Sequence, residues 1–158
     1  MKRTTIIEAI VFLYAILFLY TGISKLIDYH VFKENIAESP ILAPIATPIA
    51  WGLPWVEFVA TGLLIIPRWR LKGLYTSLIL MILFTGYVIG ILLFDEHLPC
   101  SCGGILQQLT WPQHMIFNTT FIILAIIAIL LQRKEKKAQQ IKWNVYGYRS
   151  LGQHEKSI

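Results

Sequence analysis

Residues 6–23 read IIEAIVFLYAILFLYTGI. Glu8 is the only charge in this run, and its length is close to the ~20 residues a helix needs to cross about 30 Å of hydrocarbon. Only helices and closed barrels satisfy their backbone groups in lipid. The apolar residues here follow one another without the alternation of a barrel strand, so the run reads as a helix over about Thr5 to Ile23. Three further runs pass the same test: Ile41 to Ile66, interrupted by Pro44, Pro48 and Pro54, then Leu71 to Phe94 and Pro112 to Leu131. The 158 residues are 56% hydrophobic with a mean hydropathy of +0.60, too apolar for a soluble domain of this size. The expected fold class is all-α: a polytopic membrane four-helix bundle over residues 1–131, with a basic tail over 132–158. Lys2 and Arg3 resemble the start of a secretory signal. However, the run is long, carries Glu8 and is followed by no small-x-small site, so it is read as a span.

Charge sets the expected orientation. Lys2, Arg3, Arg68, Arg70, Lys72, Arg133, Lys134, Lys136, Lys137, Lys142, Arg149 and Lys156 fall on one side of the four runs, and only Lys25 and Lys33 on the other. Under the positive-inside bias both termini are cytoplasmic, and the first and third connections face outward. This asymmetry accounts for the net charge of +5 without nucleic acid as a partner. The expected setting is a lipid membrane.

The outward connections are the candidate functional surface. Ser24 to Pro40 reads SKLIDYHVFKENIAESP, in which Leu26, Ile27, Val31, Phe32 and Ile36 approximate one apolar stripe. That spacing predicts a short amphipathic helix on the membrane or over the bundle. Asp95 to Trp111 reads DEHLPCSCGGILQQLTW. Thr110 is placed to cap the fourth helix, with Pro112 in its first turn. Trp51, Trp55 and Trp111 suit aromatic anchors at the outer interface. The tail after Leu131 opens on a basic run and is expected to lie on the surface or be loosely ordered.

Cys100 and Cys102 are the only cysteines in the chain, one residue apart in the second outward connection. Outside the cytoplasm such a pair tends to oxidise. A Cys-x-Cys disulfide closes a very small ring, which gains little from loop closure and needs a turn that Gly103 and Gly104 make easy. Strained, exposed disulfides are the labile ones, so the pair suits a bond that opens and closes better than a structural staple. Thiol attack requires the thiolate, and His97 and His114 are candidate bases or imidazolium partners for it, with Asp95 and Glu96 opposing. The alternative for both histidines is an interfacial polar role. His97, Cys100, Cys102 and His114 also have the ligand types of a zinc site, but the one-residue cysteine gap is tight for a tetrahedral metal, and no metal is expected.

Glu57 lies within the second run, where an ionisable side chain is expensive and is usually paired or functional. Lys25, at the outer end of the first run, has the reach to approach it. The two readings are a polar bond between helices, or a role beside a bound quinone or in proton transfer; on the second reading Glu57 and Lys25 are candidate cofactor-binding residues. Glu8 is near enough the cytoplasmic face to be solvated.

These residues carry a family resemblance. Thr21-Gly22-Ile23-Ser24-Lys25-Leu26 resembles the Gly-x-x-Lys-Leu signature of DoxX-like membrane proteins. The stretch Pro54 to Leu64 (PWVEFVATGLL) is similar to their second-helix pattern of a glutamate followed by Gly-Leu-Leu. The Cys-x-Cys-Gly connection narrows the resemblance to the MauE-like branch, over about residues 5 to 131. The resemblance implies a four-helix fold in the bacterial inner membrane and a link to maturing a disulfide-rich periplasmic protein, with quinone-linked sulfur oxidation among DoxX relatives. Cys100 and Cys102 would be the redox pair, and Lys25 and Glu57 signature positions. With one pair only, the same sulfurs would meet both partner and electron acceptor.

The functional expectation is an inner-membrane thiol–disulfide redox protein whose Cys100/Cys102 pair exchanges disulfides or electrons with an extracytoplasmic thiol protein, with quinone as a candidate acceptor. The alternative is a non-enzymatic small subunit of a larger membrane complex, its cysteines merely closing a loop.

Overall fold

In the computed structural model, the described residues are 3–39, 42–94 and 110–154. They form five α-helices: α1 (Arg3–Ile27), α2 (Tyr29–Glu38), α3 (Ala46–Ile65), α4 (Arg70–Phe94) and α5 (Trp111–His154), with a 3-10 turn over Ala43–Ile45. No strand occurs among the described residues. Four helices are long and apolar enough to cross a membrane: α1, α3 with its leading turn, α4 and the first part of α5. In the bundle α1 and α4 each pack against both α3 and α5. Chain direction alternates from span to span, so one end gathers the end of α1, the start of α3, the end of α4 and the start of α5.

The periodicity of α1 explains which of its faces turns inward. Ile7, Ile10, Val11, Tyr14, Leu17 and Phe18 are all buried, a stripe at the three- and four-residue spacing of one helix face. The same stripe runs on through Thr21, Gly22 and Lys25, also buried. Facing it are small or compact side chains: Ala60 and Leu64 of α3, and Ala125, Ala128 and Ile129 of α5. In lipid no hydrophobic drive favours helix over tail, so association rests on close packing, which alanine at an interface permits, and on polar bonds between helices. The Tyr14 hydroxyl donates to the Phe121 carbonyl at 2.6 Å, tying α1 to α5. Phe12, Ile16, Leu19 and Ile23, on the opposite face of α1, are exposed, as lipid-facing side chains should be.

Prolines sit where the helix tolerates them. Pro44 is at the start of the 3-10 turn, and Pro48 is in the first turn of α3, where backbone N–H groups lack intrahelical partners anyway. Pro54 lies inside α3 and fully buried, and has no N–H to offer the Ala50 carbonyl. At the start of α5 the Gln113 side chain accepts from the Thr110 N–H at 3.0 Å, half of a capping box in Thr-x-x-Gln. Gly73 brings α4 against the end of α3. A Cβ there would stand 2.7 Å from the Leu64 nitrogen and 2.8 Å from the Leu63 carbonyl carbon.

Two expectations change. The amphipathic helix exists as α2, but its buried stripe is only Phe32 and Ile36, packed on Ala46 and Ala50 of α3. Leu26 and Ile27 belong to the end of α1 and are exposed, as is Val31. From Gln132 to His154 the chain is helical rather than loosely ordered, as α5 continues without a break for about 35 Å beyond Leu131. Gln132 to Lys142 consists almost entirely of strong helix formers, so the helix persists where hydropathy ends. Thr4 of α1 donates to Glu135 of this extension at 3.1 Å.

Candidate functional site

The polar end of the α1 stripe meets a polar position on α3. Lys25 Nζ donates to Glu57 Oε1 at 2.7 Å, and the two side chains are 2% and 0% exposed. The inward reach anticipated from the sequence is thus realised as a buried ion pair. Lys25 Nζ also lies 5.6 Å from the Phe32 ring centre and 5.7 Å from that of Phe84. Two aromatic faces and one carboxylate therefore replace its hydration. Gly22 clears the approach: a Cβ there would come within 2.9 Å of the Phe58 ring and 3.3 Å of Glu57 Oε2.

This pair lines a cavity of about 720 Å³ between the helices. Its walls are mostly apolar, and the polar positions reaching it are few: Thr21, Lys25, Glu57, Tyr87, His114 and Asn118. Three of these carry a buried polar atom with no partner among the described residues, namely Glu57 Oε2, the Tyr87 hydroxyl and Asn118 Nδ2. Such atoms are costly in a low-dielectric interior unless something satisfies them.

His114 is the residue expected on the outward side as a candidate thiolate partner or an interfacial polar group. It is 1% exposed and lines the same cavity as Lys25 and Glu57. The reason is local: α5 starts at Trp111, so His114 and Asn118, one turn apart, share its inward face. Two groups that looked separate in the sequence, the histidine and the Lys25/Glu57 pair, line one cavity. Asn118 and Tyr87 were missed. The His-x-x-x-Asn spacing on an apolar span was the signal that would have found Asn118. Cys100, Cys102 and His97 lie outside the described residues, in the segment joining Phe94 to Thr110. The described residues on either side of it, Phe94 and Thr110, are at the end of the bundle where Lys25 and His114 sit.

A protein-family model described as Methylamine utilisation protein MauE matches residues 3–131. No curated protein and no solved structure matches.

Proposed function

Because this chain belongs to the MauE family and is a multi-pass membrane protein, we propose that it is a bacterial inner-membrane thiol–disulfide exchange protein acting through an outward-facing Cys100/Cys102 pair. The observation that carries this reading is placement. The chain's only two cysteines are one residue apart in the sequence between α4 and α5, and the flanking Phe94 and Thr110 lie at the end of the bundle away from the basic helix ends. Arg3, Arg68, Arg70, Lys72 and Arg133 mark that other end. At the cysteine end, the burial of Lys25 against Glu57 leaves Lys33 as the one unpaired lysine or arginine among the described residues. Counted as lysines and arginines, the imbalance between the two ends favours cytoplasmic termini and an oxidising compartment for the cysteines.

In the proposed cycle a partner thiolate attacks one sulfur of the oxidised pair. The Cys100–Cys102 bond breaks, a mixed disulfide forms and the other cysteine leaves as thiolate. A second partner thiolate then displaces the remaining cysteine. The partner ends with a disulfide, and the pair is reduced by two electrons. The matched family is described by methylamine utilisation, and we extend that setting to the partner: an extracytoplasmic protein of that process which needs disulfides.

The test is the redox state of Cys100 and Cys102 in intact cells, read by a membrane-impermeant maleimide gel shift after acid quenching. A mixed population, shifted by mild reductant and labelled from outside, is the expected result. A pair that stays oxidised under reductant, with partner maturation intact in a Cys100→Ser/Cys102→Ser variant, would replace this reading with that of a structural subunit.

A further inference from the structure

A reduced cysteine pair must pass two electrons onward, and the chain has no second pair to receive them. We infer that the cavity lined by Lys25, Glu57, Tyr87, His114 and Asn118 is a binding site for a membrane-soluble quinone, entered from the bilayer. The inference rests on the disulfide-exchange reading for its electron donor, but binding itself depends only on described residues.

The volume of about 720 Å³ lies within the range of small-molecule sites, and the mostly apolar walls suit a hydrocarbon body rather than trapped water. Ile82 and Leu83, which line it, are 52% and 62% exposed on the lipid-facing side of α4, so its rim meets the bilayer. The charge of the ligand is also constrained. Lys25 and Glu57 neutralise each other at 2.7 Å, and an added charge would stand unpaired in a low-dielectric space. The occupant is therefore neutral.

The unpartnered atoms define its head. Asn118 Nδ2 and the Tyr87 hydroxyl offer donors, and Glu57 Oε2 offers an acceptor. A quinone presents two carbonyl oxygens to the donors. Its quinol presents hydroxyls that can donate to Glu57 Oε2. An ester lipid would satisfy the donors and leave the carboxylate oxygen bare. A quinone in its two redox forms answers the whole set. With the thiols as donor the reaction balances: two S–H bonds break, one S–S bond forms, and two electrons and two protons convert quinone to quinol.

The test uses the full chain carrying Cys100→Ser and Cys102→Ser in phospholipid nanodiscs, titrated with decylbenzoquinone. Binding is read by quenching of tryptophan fluorescence, corrected for uptake by empty discs. Saturable binding is expected, weakened about tenfold by Tyr87→Phe with Asn118→Leu, because each change removes a donor to the ligand. Tyr87→Phe deletes only an oxygen without a partner in the ligand-free protein, so the thermal stability of that single variant should hold or rise. Non-saturable uptake equal to that of empty discs would overturn the inference, as would saturation untouched by the double variant or equal competition from decylbenzene. Wild-type protein separates the two readings. Quinone binding without quinone reduction by a dithiol substrate would sink the exchange reading and leave the site standing; disulfide exchange without quinone binding would do the reverse.

Discussion

Lys25 and Glu57 lie 32 residues apart on different helices, and their buried side chains meet at 2.7 Å. Each charge is acceptable at that depth only because the other is there, and two aromatic rings complete the lysine's enclosure. The pair joins the end of α1 to the middle of α3 and forms part of the cavity wall. Its position couples the packing of the bundle to whatever the cavity holds.

Breaking the pair from one side should cost more than removing it. Glu57→Gln leaves the Lys25 ammonium buried without a counter-charge, and about 3–5 kcal/mol of stability should be lost. Lys25→Met leaves the carboxylate bare at comparable cost. The double variant should recover at least half of the summed loss, since no charge then remains in the interior. Thermal unfolding of the four proteins in one detergent gives the coupling energy; strict additivity would mean that the pair contributes nothing.

Close approach of α4 to the end of α3 depends on Gly73. Gly73→Ala drives a Cβ against the Leu63 and Leu64 backbone, which cannot swing aside as a side chain can. A loss of about 1–3 kcal/mol is expected. Gly62 is the control: it lies inside α3, and an added Cβ meets nothing within 4 Å. Gly62→Ala should be neutral or stabilise by up to about 1 kcal/mol through helix propensity. Equal melting temperatures for the two variants would contradict this account of how the helices pack.

The Tyr14 hydroxyl, donating to the Phe121 carbonyl across α1 and α5, is a polar bond in a dry interior. The ring is held separately, edge-on to Phe121 with centroids 5.1 Å apart. Tyr14→Phe keeps the ring and deletes the donor, so a loss of about 1 kcal/mol is expected. Tyr14→Ala also opens a cavity and should lose about 3–5 kcal/mol. A Tyr14→Phe variant as damaged as Tyr14→Ala would assign the stabilisation to something other than packing of the ring.

What the sequence made legible follows from which physics is local. The four spans are set by run length and apolarity, so their existence and order were readable, and so was the start of α5 just after Thr110. The end of α5 was misjudged because hydropathy falls at Gln132 while the backbone preference of Gln132 to Lys142 remains helical. The cavity wall was only half legible. Lys25 and Glu57 stand out as charges in apolar runs, but the turn of α5 that carries His114 and Asn118 to the same cavity depends on the register between helices. No periodicity within a single helix encodes that register.

The orientation of the bundle yields a direct prediction. In a Cys100→Ser/Cys102→Ser background, a single cysteine placed at Lys33 on α2 should react with a membrane-impermeant maleimide in intact cells. Lys33 is partly exposed and lies beyond the end of α1 opposite the basic cluster. A single cysteine at Lys136, exposed on the α5 extension, should react only after the membrane is opened. The charge count gives the expected sign: the basic residues of the α3–α4 turn and of α5 outnumber Lys25 and Lys33 at the other end. Reversal of both labelling patterns would put Cys100 and Cys102 in the reducing cytoplasm, where the pair would stay reduced and the proposed exchange would lose its oxidising compartment.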